Sequence, residues 1–214
     1  LYFLNYVLFH RTNDEEIKPC RTYFWEKIKD KVQGKTMVEA ALEINHWCAG
    51  EVMYQGTDMR TGSALEIYRS GVGRCGEEAV FVVNVMRSAG IPARPVYVPR
   101  WSHCDDNHAW VEVWCDGDWH YLGACEPEAV LDKSWFTNAA SRAMMIGSRW
   151  YDRAMPDEKV IGKDGMNRII NLLGKYAKTR WITITVEDLD GTPAAGAKVR
   201  AEVMNYGEFS PIAI

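Results

Sequence analysis

The sequence predicts an α+β fold with helices packed on an antiparallel sheet, and three observations predict it. Apolar residues recur at helical spacing through the first 90 positions, and the period then drops to two over residues 93–122. Between the alternating segments, Asp116-Gly117 marks a tight hairpin. Helices first and a β-meander after them is the pattern of helices segregated to one face of an antiparallel sheet. At 214 residues the chain can bury one good core with a small appendage.

Taken in order, residues 1–9 read as a short buried helix, followed by a polar loop to Pro19. The chain opens at Leu1 with no methionine and no basic flank of a signal peptide, which reads as a fragment or processed form of a longer protein. A helix is expected over residues 22–32, stopped by Gly34. Thr36 then caps a third helix, with Glu39 completing a capping box. Its inner stripe is Val38, Ala41, Leu42, Asn45 and Cys48 or Ala49. Residues 54–63 are loop by composition, and residues 64–70 make a helical turn that leads to the glycines Gly71 and Gly73. From Cys75 onward a helix apolar nearly all round is expected, hence a buried one, stopped at Gly90 and Pro92.

Strands are expected at residues 93–98, 108–114 and 119–122, with a polar loop at 99–107. Residues 123–168 read as long connections with one helix near 131–140. A composition shift near Ile169 suggests two units: residues 1–168, a main domain with an N-terminal helical extension, and residues 169–214. In the second, residues 181–186 alternate, a turn follows at Asp190-Gly191, and another strand is expected at 197–203. This is the opening of a β-sandwich-like module.

Composition narrows the partners. A formal net charge of −4 gives no reason to expect nucleic acid or an anionic membrane, and no apolar run approaches the roughly 20 residues of a membrane span. Nine tryptophans and ten tyrosines favour an aromatic-lined cleft. None of the six cysteines forms a C-x-x-C pair, which argues against a zinc knuckle or a thioredoxin motif. His103, Cys104, Asp105, Asp106 and His108 crowd one stretch but lack paired ligands at short fixed spacing, so no metal site and no cofactor is read.

The chemistry centres on Cys75, the first residue of a buried helix after a glycine turn. A helix N-terminus favours a thiolate by about 0.3–1 kcal/mol, less than one pKa unit, and Glu77 and Glu78 in the first turn oppose it. A cationic partner is therefore needed. His108 is that partner: it opens a strand with Trp110, Glu112 and Trp114 on its own face and Ala109, Val111, Val113 and Cys115 on the other.

The runs Gly-Val-Gly-Arg-Cys-Gly-Glu-Glu-Ala, Ala-Gly-Ile-Pro-Ala-Arg, Asn-His-Ala-Trp-Val-Glu-Val-Trp and Asp-Gly-Asp-Trp-His-Tyr-Leu, in this order, resemble the core of the transglutaminase-like superfamily. The resemblance covers about residues 36–126 and extends more loosely to peptide N-glycanases. It implies a papain-like triad of cysteine, histidine and acid, with Cys75 as nucleophile and His108 as base. The acid departs from the pattern, because Gly123 stands where the family usually has Asp. Glu126 is the nearest carboxylate. A two-residue turn at Asp116-Gly117 would put His108 opposite Cys125; a three-residue loop with a bulge would put it opposite Glu126.

The Cys75 backbone N–H is one natural oxyanion donor, with Tyr54, Gln55 and Trp47 as side-chain alternatives, and Trp101 and Trp110 as candidate cleft walls. The expected function is thiol-dependent acyl transfer or hydrolysis at an amide bond through Cys75, His108 and Glu126. The alternatives are a peptide N-glycanase-like amidase and a non-catalytic binding module that has lost the acid. The expected partner is a protein or peptide substrate, glycosylated in the N-glycanase alternative. The resemblance of the last strands to modules of secreted or cell-surface bacterial proteins implies an extracytoplasmic address, in the periplasm or at the cell surface.

Overall fold

The computed structural model describes residues 2–9, 11–151, 159–165 and 167–213. A short π-helical turn, Leu4–Leu8, precedes α1 (Arg21–Val32), α2 (Met37–Glu51) and α3 (Ala64–Ser70). Between α2 and α4 (Cys75–Ser88) two very short strands, β1 (Met53–Tyr54) and β2 (Val72–Gly73), pair in parallel. The capping box at Thr36 and Glu39 is formed, and a second one, Ser63 with Glu66, starts α3. Each such cap is worth about 1 kcal/mol.

After α4 come β3 (Ala93–Val98), β4 (His108–Cys115) and β5 (Asp118–Leu122), then a short α5 (Thr137–Ala140). β6 (Gly147–Tyr151), β7 (Val160–Asp164) and β8 (Asn167–Asn171) follow, then α6 (Leu173–Tyr176). These strands form one antiparallel sheet in the order β5-β4-β3-β6-β8-β7. Its hydrogen bonding runs straight through the composition shift, since β8 pairs with β6 from Tyr151↔Asn167 to Gly147↔Asn171. β6, β7 and β8 have no counterpart among the strands expected from sequence. Their glycines and charges mask the alternation, and the ladder itself holds them.

One face of the sheet packs on α4, which lies beneath α1, α2 and α3 in a single apolar cluster. Val80, Phe81, Val82, Val83, Val85 and Met86 are fully buried there, each contributing roughly 1.5–3 kcal/mol of transfer free energy. The other face is covered as well. Tyr6, Trp101, Trp119, Phe136, Ile146 and Trp150 close a second cluster over Val96, Val98 and Trp110. The strand face holding Trp110 and Glu112 is thus an interior surface, and Glu112 answers its burial with a cross-strand ion pair to Arg94 (2.6 Å) and a bond from the Tyr176 hydroxyl (2.6 Å). Buried Arg87 ties three segments together, donating to Ala93 O and to Phe9 O.

Two expectations change in the second half. The helix expected near 131–140 shrinks to α5, because Asp132 turns the chain back onto β5: its carboxylate accepts from Tyr121 N–H and its own N–H donates to Tyr121 O. Residues 181–186 form no strand; Trp181, Ile182 and Ile184 are exposed, with no neighbouring strand to pair with among the described residues. The turn at Asp190 is present, and β9 (Ala201–Asn205) pairs with β10 (Glu208–Ala213) as a hairpin. That hairpin is pinned to the main body by Asn205 and Tyr206 N–H, which bond Cys104 O and the Asp105 carboxylate.

Candidate active site

Cys75 owes its position to the turn before it. Gly71 ends α3 at φ 69°, and Gly73 sits tightly against α4: a Cβ there would meet Glu77 Cβ at 3.1 Å, so the neighbour would have to give way by a few tenths of an ångström. Glu77 is committed to this loop, accepting from Gly62 N–H (3.1 Å), Arg74 N–H (3.2 Å) and the Thr57 hydroxyl. The thiol lies half-buried in a cleft of about 390 Å³, whose lining also includes His108 and Ala109. Burial pushes the Cys75 thiol above its ordinary pKa, and the Ala109 and Gly76 backbone N–H groups offset only part of that.

Glu78, the next residue of α4, is a different case from Glu77. It is only 4% exposed, and burial together with the charge of Glu126 raises its pKa to about 8. At neutral pH it is therefore protonated, and its opposition to a Cys75 thiolate sets in above that pH.

His108 begins β4, opposite Val98, with its ring against Trp135 (4.8 Å) and Phe136 (5.0 Å). Burial lowers its pKa to about 4, so at pH 7 the imidazole is neutral and not the resting cation expected from sequence. Its Nε2 faces Glu126 Oε2 at 3.9 Å, an ion-pair distance and too long for a hydrogen bond. Both atoms are buried and neither has a hydrogen-bond partner among the described residues.

Glu126 arrives by a route that neither hairpin register describes. The turn at Asp116-Gly117 has two residues, with Cys115 opposite Asp118, but the β4–β5 ladder ends at Val111↔Leu122, short of His108. A tight turn follows. Glu126 N–H donates to Gly123 O (3.1 Å), and Cys125 adopts φ 58°. Asn45 of α2, buried at 1% exposure, clamps this turn by donating to Gly123 O (2.9 Å) and accepting from Cys125 N–H (3.0 Å). The turn folds the Glu126 side chain back over Gly123. A Cβ on Gly123 would lie 2.8 Å from Glu126 Cβ and 3.1 Å from Ser134 Oγ, and would collide with Glu126 Oε2. The carboxylate thus fills the space that a side chain at position 123 would take. Trp135 Nε1 donates to its other oxygen, Oε1, at 2.9 Å. Burial raises the Glu126 pKa and the Trp135 bond works against the rise.

The other candidates divide. Tyr54 and Gln55 are exposed residues beside β2, and the Tyr54 hydroxyl feels the charge of Cys75. Trp47 instead packs with Tyr68 and Phe81 in the helical core. Trp101 and Trp110 are buried in the second apolar cluster and do not line the cleft around Cys75. Trp135 escaped sequence reading because nothing in its spacing marks it. Asn45 carried a usable signal: a polar residue on the apolar stripe of a helix must find hydrogen-bond partners. Among the described residues, no three His, Cys, Asp or Glu side chains gather as a metal would require.

Residues 26–124 match the family model of the transglutaminase-like superfamily. No curated protein matches the chain. Solved structures similar to it include the following three. A candidate cysteine protease from Cytophaga hutchinsonii is 16% identical with a TM-score of 0.43, over 71% of this chain and 57% of that one. A candidate protease from Parabacteroides distasonis is 18% identical with a TM-score of 0.46, over 60% of this chain and 25% of that one. Legionella pneumophila LapG is 17% identical with a TM-score of 0.42, over 52% of this chain and 66% of that one.

Proposed function

We propose that the chain, whose residues 26–124 match the family model of the transglutaminase-like superfamily, is a cysteine acyl-transfer enzyme acting on amide bonds through Cys75, His108 and Glu126. The observation that carries this reading is the grouping of a cleft thiol, an imidazole in the same cleft, and a carboxylate facing that imidazole's Nε2 at 3.9 Å.

With Nε2 turned to Glu126, Nδ1 is left for the thiol. Because burial disfavours the charged form of both groups, the resting pair is neutral thiol and neutral imidazole. His108 takes the thiol proton as sulfur attacks the amide carbonyl carbon. The C–S bond forms, the oxyanion is received by the Cys75 N–H, and the C–N bond breaks as His108 returns the proton to the leaving amine. Water then attacks the thioester with His108 as base, the C–S bond breaks, and the thiol is restored. An incoming amine in place of water gives transfer instead of hydrolysis. Glu126 stabilises the imidazolium in each half-reaction, and closing 3.9 Å to hydrogen-bond distance in the substrate complex supplies that stabilisation when it is needed. Glu126 over Gly123 supports this reading over the binding-module alternative, whose main support is the missing acid.

Iodoacetamide alkylation of Cys75 across pH tests the reading. With thiol and imidazole both neutral at rest, alkylation at neutral pH is expected to proceed with His108 taking the thiol proton as sulfur attacks. His108→Ala should slow it by about 10²-fold. Equal profiles for the two proteins would refute the dyad. Mass spectrometry of a peptide and glycopeptide mixture then separates hydrolysis, crosslinking and deglycosylation.

A further inference from the structure

The cleft that holds Cys75 extends across β3 to β6, where Arg149 lines its far side. Two guanidiniums, Arg74 and Arg149, face this space, and no carboxylate is among the described residues lining it. That is notable in a chain of net charge −4. Arg74 is occupied, donating to Met59 O, Arg60 O and Thr61 Oγ1 (3.3, 3.2 and 3.0 Å). Among the described residues, the groups that hold Arg149 in place are neutral. Its Nη1 donates to Asn13 Oδ1 at 2.8 Å, its Cζ lies 5.7 Å from the Tyr97 ring centroid, and the Tyr97 and Tyr151 hydroxyls are within its reach. Asn13 is itself fixed, because the Glu15 carboxylate accepts from the Thr12 and Asn13 N–H groups (2.8 and 2.6 Å). Glu15 is thereby committed to the loop that orients Asn13.

A half-buried guanidinium oriented by neutral partners keeps its remaining N–H donors and its full charge for an anion. The planar fork matches a carboxylate bidentately. Apolar Val98, Pro99 and Ala79 along the same cleft lower the local dielectric and strengthen such a contact.

We propose that Arg149, oriented by Asn13 and Tyr97, is a carboxylate-recognising subsite, so that the substrate is a peptide bearing a carboxylate close to the amide that Cys75 attacks. The carboxylate comes from an acidic side chain or from a free C-terminus. The inference rests on the acyl-transfer reading, and its test is separable from that reading because it measures occupancy of the cleft rather than turnover.

The measurement is protection of Cys75 from iodoacetamide by three millimolar peptides: one with an internal Glu and a blocked C-terminus, one neutral with a free C-terminus, and the blocked Gln isostere of the first. Carboxylate peptides are expected to slow alkylation at least fivefold more than the Gln isostere, and the better of the first two identifies the source. Arg149→Gln should abolish the discrimination, Arg149→Lys should retain it through the kept charge, and Arg69→Gln, outside the cleft, should leave it intact. Equal protection by the Gln isostere, no protection by any peptide, or discrimination persisting in Arg149→Gln would each overturn the subsite. Loss of His108-dependent thiol activation would overturn the catalytic reading and leave the protection result standing.

Discussion

Gly123 and Glu126 act as one unit. The backbone turn brings the carboxylate over a position with no side chain, so on the proposed reading the two residues together take the part of a single Asp at position 123. This makes Gly123 sensitive although it touches no substrate. Gly123→Ala puts a Cβ where Glu126 Oε2 now lies, against a glutamate whose own Cβ is 2.8 Å away. Its kcat/KM is expected to fall by about as much as that of Glu126→Ala, roughly 10²-fold. Steady-state kinetics of the two variants on one peptide substrate checks this; a fully active Gly123→Ala would show that the carboxylate can move without cost.

At the scale of elements, the site depends on a contact between α2 and the chain leaving β5. Asn45 satisfies a buried carbonyl and a half-buried N–H at once. Asn45→Ala strands both, at about 1–3 kcal/mol for each unsatisfied group, and releases the turn that carries Glu126. The expected result is a lower urea midpoint together with a loss of kcat at temperatures where the protein remains folded. A fall in stability with unchanged kcat would separate the clamp from the acid's position. Trp135 belongs to the same arrangement from the opposite side, with its indole N–H on Glu126 and its ring on His108.

For the whole molecule, two buried site groups pull stability in opposite directions with pH. His108 titrates at about 4 when folded against 6.5 when unfolded, so the unfolded chain binds the extra proton between these values and stability falls as pH drops through that window. The loss is on the order of 3 kcal/mol. Glu78 titrates at about 8 when folded against 4.5 when unfolded, so the folded chain holds the extra proton and stability falls as pH rises from 4.5 to 8. Thermal denaturation should therefore show Glu78→Gln gaining Tm over wild type at pH 8.5 and little at pH 4.5. A constant difference between the two proteins across that range would contradict the raised pKa.

Much of this architecture is legible in local pattern. The period of the apolar residues marks α1, α2 and α4, the capping pair Thr36 and Glu39 sets the start of α2, and Asp116-Gly117 sets a two-residue hairpin, because each depends on neighbours within a few positions. Cys75 and His108 were legible for the same reason, as a residue after a glycine turn and a residue opening an alternating strand. Glu126 was visible only as a nearby carboxylate. Its approach to His108 depends on Cys125 at positive φ and on Asn45, which is 78 residues away from Gly123 in the chain. Arg149, Asn13 and Trp135 reach the site from separate loops and strands, and no local periodicity records which of them meet. Pairings between distant segments are chosen by burial and by hydrogen-bond satisfaction across the whole core, so the proposed nucleophile and base are read from the chain, while the position of the proposed acid and the cationic end of the cleft come from the folded molecule.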